Sequence, residues 1–151
     1  MEIREYTRKD RLACLRVLDS NIPGFLKPDM RDDFTDYLDE LSSPGHGFFV
    51  LENHNKQILA CGGVYLFPDT ALAGLSWGMV ARAHHRTGLG RAMIEFLLDW
   101  LRNQHPNVKQ VVLESNSFSK EFFELFGFKI EQTTENHYGI GLHRFDMRLT
   151  L

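Results

Sequence analysis

The chain has 151 residues, 43% of them hydrophobic and 25% charged, with five prolines and two cysteines. That length fits one domain, residues 1–151, able to bury a core without a metal or disulfide staple, and the apolar content excludes a disordered, collagen-like or low-complexity chain. A formal charge of −3 argues against general nucleic-acid binding, and Cys14 and Cys61 are too few and too far apart for a disulfide framework or a zinc site.

In chain order, Ile3 to Tyr6 reads as a strand, and Thr7 with Asp10 three residues later as a helix start. Leu12, Leu15 and Leu18 continue that helix to about Ser20, and Pro23-Gly24 breaks it. Met30, Phe34, Tyr37, Leu38 and Leu41 mark a second amphipathic helix, stopped by Ser42-Ser43-Pro44-Gly45. Its outer face is acidic: Asp29 to Glu40 carries six carboxylates against the single Arg31, the ordinary pattern of a solvated face. Phe48 to Leu51 and Gln57 to Phe67 read as strands joined by Asn53-His54-Asn55-Lys56, and Ala71 to Val80 as a third. Gly88 to Arg102 is the clearest helix, with Leu89, Met93, Phe96, Leu97, Trp100 and Leu101 as its apolar stripe and Pro106 beyond its end. Val108 to Leu113 is a β-branched strand, and Ser119 caps a short helix that ends at Gly127. Phe128 to Thr133 and Leu142 to Thr150 are the last two strands, joined through the glycine-rich Asn136–Gly141 segment. One α+β domain is expected.

Ile58 to Ala81 imitates a membrane span, with Asp69 its only charge, but Pro68-Asp69-Thr70 divides it into two runs too short to cross a bilayer. Met1–Glu5 is charged from its second residue and has no apolar signal core, so a cytoplasmic location without membrane contact is expected.

The chemistry is concentrated in one segment. Residues 70–94 contain no acid and no lysine, yet Arg82, His84, His85, Arg86 and Arg91 fall within ten positions around Gly88-Leu89-Gly90. Glycines at a helix start, where backbone N–H groups lack partners and the dipole is positive, form an anion site, and arginine supplies donors matched to phosphate oxygens. His84 and His85 have no third ligand at metal spacing, so no metal is expected. A dinucleotide fingerprint is one reading, since Gly88-Leu89-Gly90-Arg91-Ala92-Met93 begins like G-x-G-x-x-G and Glu114 ends the next strand. Met93 in place of the third glycine, and seven residues between Val80 and Gly88, count against it.

A second reading accounts for more of the chain. Val80-Ala81-Arg82-Ala83-His84-His85-Arg86-Thr87-Gly88-Leu89-Gly90-Arg91 resembles motif A of the GCN5-related N-acetyltransferase (GNAT) superfamily, a strand end, a loop, an [R/Q]-x-x-G-x-[G/A] turn and a helix. Downstream, Val111-Val112-Leu113-Glu114-Ser115-Asn116 and Phe122-Phe123-Glu124-Leu125-Phe126-Gly127-Phe128 resemble its motif B. The resemblance implies an α+β, three-layer fold: a mixed, mostly antiparallel sheet of about seven strands with a parallel, splayed central pair, flanked by four helices. It implies an acyltransferase that moves the acetyl group of acetyl-CoA, its co-substrate, to a primary amine of a small molecule or peptide by direct attack. It also implies that backbone groups of Met79 and Val80 pair with the pantetheine arm, a backbone N–H near Met79 polarises the thioester carbonyl, and residues His85, Arg86, Thr87, Gly88, Leu89, Gly90 and Arg91 hold the pyrophosphate. Asn116, Phe122 and Phe123 then flank the rest of the coenzyme, and a homodimer is the frequent assembly.

His85 stands where the family has Arg or Gln, and Arg86 where Gly is common. Phe123 replaces the tyrosine that in many members protonates the departing thiolate, although a thiol with a pKa near 8.5 leaves tolerably without an acid. Glu114 is the first candidate base, and Tyr138, in the Asn136–Gly141 hairpin loop, a substitute hydroxyl. The missing tyrosine leaves a second function in view, a non-catalytic acyl-CoA-binding sensor.

Overall fold

The computed structural model describes residues 1–41 and 47–151; the expected helix stop at Ser42–Gly45 lies outside them. The described elements are β1 (Glu2–Glu5), α1 (Arg11–Ser20), α2 (Met30–Glu40), β2 (Phe48–Glu52), β3 (Ile58–Leu66), β4 (Leu72–Val80), α3 (Leu89–Gln104), β5 (Gln110–Asn116), α4 (Lys120–Glu124), β6 (Lys129–Gly139) and β7 (Leu142–Thr150). The strands form one mixed sheet in the order β1-β2-β3-β4-β5-β7-β6, and β4 and β5 are its parallel pair. This is the α+β sheet with four helices that the motifs imply. By their contacts the residues group into two compact units, Met1–Val64 with Trp77–Trp100, and Tyr65–Ser76 with Leu101–Leu151.

In the first unit, β1 pairs antiparallel with β2 from Glu2↔Glu52 to Glu5↔Phe49, and β2 with β3 from Phe48↔Gly63 onward. The apolar faces of α1 and α2 close on them: Cys14, Leu18, Phe34, Phe48, Val50 and Cys61 are fully buried in one cluster. Each large apolar side chain buried there stabilises the fold by about 1.5–3 kcal/mol. Along α3, Leu89, Met93 and Leu97 are buried as the stripe predicts, and Ile94 and Leu98 widen it. Phe96 and Trp100 remain half-buried, edge-on to Phe49 at 5.0 and 5.4 Å. Gly62 permits this approach, since a Cβ there would lie 3.1 Å from both Leu97 Cδ1 and Met93 Cγ.

A charged knot ties the chain's start to β2. Arg4 Nη1 and Nη2 donate to the Asp10 carboxylate at 2.8 and 2.9 Å, and Nη2 also to Glu52 Oε2 at 3.2 Å. The expected capping pair is present, with the Thr7 N–H donating to Asp10 Oδ2 at 2.9 Å, although the turn it opens is a single 3-10 turn, Arg8–Asp10, before α1. Burial pushes the Asp10 carboxyl up, but the bonds from Arg4 and Thr7 outweigh it and the group titrates below its ordinary value. The Arg4 hydrogen bond, against burial, likewise lowers Glu52. Carboxyls lowered by folding stabilise it only while ionised, so their contribution is complete above the ordinary carboxylate range and is lost as the pH falls below it. Asp10→Asn is therefore expected to cost about 1–3 kcal/mol at neutral pH and to flatten the loss of stability below about pH 4.5. Thermal midpoints across pH 2.5–7 check it (a range set by the ordinary carboxylate pKa of about 4); equal acid limbs in variant and wild type would show that the knot is not what acid breaks.

In the second unit, β5 alternates inward Val111, Leu113 and Ser115 with outward Val112, Glu114 and Asn116. It pairs with β7 along its whole length, from Gln110↔Thr150 to Asn116↔Arg144. Phe128, Phe145 and Met147 are buried. Tyr65 lies across Gly74, where a Cβ would sit 2.0 Å from the ring's Cζ.

Two expected local features are built differently. Ser119 precedes α4, but its hydroxyl makes no capping bond to the helix. The Asn116 side chain takes that place, its Oδ1 accepting the Phe118 and Ser119 N–H groups at 2.9 and 3.1 Å. Gly127 does end the segment at φ +96°. The sixth strand runs on to Gly139, so Asn136–Tyr138 belongs to β6 and the connecting turn is only Ile140-Gly141.

Candidate active site

The basic segment lies in the first unit and begins with an irregularity. Trp77, in the middle of β4, has φ +53°, a left-handed conformation rare for a bulky residue. Its ring is held at 4.8 Å from Phe34 and 6.1 Å from Tyr37. Beyond it, the Ala81 N–H donates to the Leu59 carbonyl at 2.8 Å. The backbone groups of residue 81 thus face β3, and strand alternation turns those of Val80 to the opposite edge. The Val80 carbonyl is occupied there, accepting from Asn21 Nδ2 at 3.0 Å and meeting His85 Nε2 at 2.9 Å. Its N–H lies on the same edge. Asn21 is 3% exposed and also donates to the Val17 carbonyl at 2.9 Å. No motif in the sequence marks this asparagine, since its partners lie on β4 and in α1.

The loop to α3 turns through Arg86 at φ +61° and Gly88 at φ +86°. The first helical bond is Ala92 N–H to Gly88 O at 3.0 Å, so the N–H groups of Leu89, Gly90 and Arg91 precede the ladder at the positive end of the α3 dipole. Arg86, Thr87, Gly88 and Arg91 are exposed, Gly90 is half-exposed and Leu89 is buried. Thr87 Oγ1 donates to the His84 carbonyl and closes the loop. Arg91 reaches Glu95 at 3.5 Å. Two of the five basic side chains serve the loop's own shape. His85 packs edge-on to Phe25 at 4.9 Å while its ring meets the Val80 carbonyl. Arg82 donates to the Pro23 carbonyl and lies 5.0 Å above the Phe25 ring.

The acid–base candidates belong to the second unit. The Glu114 carboxylate forms an ion pair with Arg144 Nη2 at 2.9 Å, and the same guanidinium donates to Asp146 Oδ1 at 3.0 and 3.2 Å. The β5–β7 register sets this up, pairing Glu114 with Asp146 and Asn116 with Arg144. A cleft of about 260 Å³ lies here, lined by Tyr65, Val112, Leu113, Glu114, Glu131, Asp146 and Met147. Burial pushes the Tyr138 phenol up, the Glu114 and Asp146 charges add to this and Arg144 opposes it. Tyr65 is raised by burial and then by Glu114, so both phenols lie within electrostatic reach of that carboxylate. Arg144 and Asp146 had a readable signal in the alternation Arg144-Phe145-Asp146-Met147-Arg148, charged against apolar, which marks the outward face of a strand. Asn116 spends its side-chain oxygen on the start of α4, and Phe122 and Phe123 stack edge-on at 5.1 Å, half-buried. Among the described residues no three His, Cys, Asp or Glu side chains gather as metal ligands, and no helix is long and apolar enough to cross a membrane.

The mixed sheet has one parallel pair, and the first strand of that pair leads through a glycine-opened loop into a helix N-terminus, which is the arrangement the two sequence motifs imply. The sequence profile described as the Acetyltransferase (GNAT) family matches residues 14–128, and the chain belongs to that family. Among solved structures, it resembles a protein assigned to the GNAT family from Desulfovibrio desulfuricans, with 24% identity, a TM-score of 0.79 and 99% of this chain and 98% of that one covered. The ribosomal-protein-S18-alanine N-acetyltransferase from Escherichia coli aligns with a TM-score of 0.78 at 20% identity, over 99% and 92% of the two chains. An aminoglycoside 6'-N-acetyltransferase complexed with coenzyme A aligns at 0.76 and 14%, over 99% and 97%. At these identities the structures establish the fold. No protein with a curated description matches the sequence.

Proposed function

We propose that the protein is an acetyl-CoA-dependent N-acetyltransferase whose acceptor is a primary amine of a small molecule or peptide. The observation that carries this is the acid-free segment 70–94, which ends in the left-handed turn at Arg86 and Gly88 and the open N-terminus of α3. The residues present suit a pyrophosphate: backbone donors from Gly88 to Arg91, a helix dipole, and the exposed Arg86 and Arg91.

Acetyl-CoA supplies an acetyl group activated as a thioester. On the protein's side, the Val80 N–H is the donor for the thioester carbonyl, because the Ala81 N–H is committed to Leu59 and strand alternation turns Val80 to the opposite edge. The two side chains on the Val80 carbonyl, Asn21 and His85, hold the next peptide, Val80–Ala81, and so fix the end of the strand that carries this N–H. An amine arrives protonated at neutral pH, and Glu114 takes its proton through water. Tyr138 has the opposite task. A phenol, with an ordinary pKa of about 10, is protonated at neutral pH and can give its proton to the thiolate, the role Phe123 cannot fill.

The test is calorimetric binding of acetyl-CoA followed by thiol release with a panel of polyamines, amino acids, aminoglycosides and peptides. Binding with amine-dependent release is expected, and Tyr138→Phe is expected to lower kcat about tenfold or more at unchanged acetyl-CoA affinity. Phe123 favours the non-catalytic reading, which tight binding without release across the whole panel would establish. No binding at all would overturn both.

A further inference from the structure

The irregular stretch of β6 is more organised than a hairpin end requires. Thr134 pairs with Arg144 and Gly139 with Leu142, so residues Glu135 to Tyr138 stand opposite the single residue His143. A bulge of that size leaves backbone groups without ladder partners. Four residues close a ring of hydrogen bonds around it, which gives the Asn136 N–H its partner. The Asn136 N–H donates to His143 Nδ1 at 3.0 Å, and the Gly141 N–H to Asn136 Oδ1 at 2.8 Å. The His143 N–H donates to Ser117 Oγ at 3.0 Å, and Ser117 Oγ to the Gly141 carbonyl at 3.3 Å, which ties the bulge to the end of β5. Asn136 adopts φ +55°, a conformation asparagine tolerates better than most residues.

We propose that His143 is a positioning residue: by accepting the Asn136 N–H on Nδ1 it fixes the bulge of β6 that carries Tyr138. This inference rests on the reading of Tyr138 as the proton donor. An accepting Nδ1 requires the neutral imidazole with its proton on Nε2, so the ring's role is geometric and needs no charge. Tyr138 is two residues from Asn136, and its phenol feels the charges of Glu114 on β5 and of Arg144 and Asp146 on β7. A bulge free to rearrange would release it from those three groups.

The experiment compares His143→Leu, which removes the acceptor, with His143→Asn, whose side-chain oxygen can replace Nδ1. The Tyr138 titration, read as the ultraviolet difference between each protein and its Tyr138→Phe counterpart, is the readout independent of turnover. In His143→Leu the phenol is expected to fall back toward its ordinary pKa of about 10, and in His143→Asn to stay raised. Thiol release from acetyl-CoA with the best amine of the panel is expected to follow: kcat falls about as far as in Tyr138→Phe, the KM for acetyl-CoA stays within about twofold, and the double variant is no slower than either single one. Ser117→Ala, which removes only the ring's link to β5, shifts the titration in the same direction by less and serves if His143→Leu does not fold. A folded His143→Leu, or Ser117→Ala in its place, that titrates like wild type would overturn the proposal. If wild type binds acetyl-CoA but releases no thiol, the transferase reading fails, while the titration still decides the role of His143.

Discussion

Gly90→Asp is expected to weaken acetyl-CoA binding at least a hundredfold, about 2.7 kcal/mol, and to leave the protein at least as stable as before. The two halves of that expectation have one cause. Gly90 is the second residue of α3, in the turn whose N–H groups precede the first helical bond to Gly88. A carboxylate placed there meets the positive end of the helix dipole and stabilises the helix by about 0.3–1 kcal/mol. It also occupies the donors a pyrophosphate needs and repels its charge. Calorimetry with acetyl-CoA and a thermal melt on the same sample separate the effects. Retained affinity at an unchanged melting temperature would put the anion site elsewhere.

Phe34→Ala is expected to be the most damaging single truncation, at about 3–5 kcal/mol, a large share of the 5–15 kcal/mol typical of a domain. Phe34 is fully buried, with its ring 4.8 Å from Trp77, 6.1 Å from Phe48 and 6.3 Å from Tyr37. It also supports the site. A left-handed conformation costs a residue such as Trp77 about 1–2 kcal/mol, which packing of its ring must offset. Without Phe34 that support weakens and β4 can return to regular pleating, which would turn the Val80 N–H. The variant should therefore bind acetyl-CoA more weakly even under conditions where it is fully folded. Denaturant unfolding measures the first effect and calorimetry the second. A destabilisation below about 1 kcal/mol would mean that the aromatic cluster does not hold this unit together.

What could be read from the sequence was mostly local. The 3.6-residue stripe of α3, the asparagine-rich turn at Asn53–Lys56 and the C-terminal Gly127 follow from periodicity and turn chemistry, and they stand where they were expected. The basic, glycine-opened loop was legible because composition alone isolates it. The rest depended on partners far along the chain. Nothing near Trp77 announces that a tryptophan rather than a neighbouring glycine takes the left-handed position, because rings from α2 hold it there. His85 reads as a phosphate ligand by its place in the motif, yet its ring is drawn to the Val80 carbonyl and Phe25. Asn136 has turn chemistry and uses it, but in a bulge rather than in the hairpin turn, so β6 is longer than its composition suggests. Glu114 was identifiable as a strand-end carboxylate. That Arg144 would bind it required the β5–β7 register, which no local rule supplies.

The two cysteines bear on how such an enzyme is watched. Cys14 and Cys61 are unpaired and have no solvent exposure, and the Cys61 thiol is pushed up by its contact with Cys14 and by burial. Disulfide reagents react with exposed thiolates, so a reagent that reports any coenzyme A released in the thiol assay meets no competing signal from the folded polypeptide. Any slow signal in the absence of acetyl-CoA then counts molecules whose first unit has opened. One dye in one cuvette thus serves as a product meter while the core is closed and as an unfolding clock when it is not.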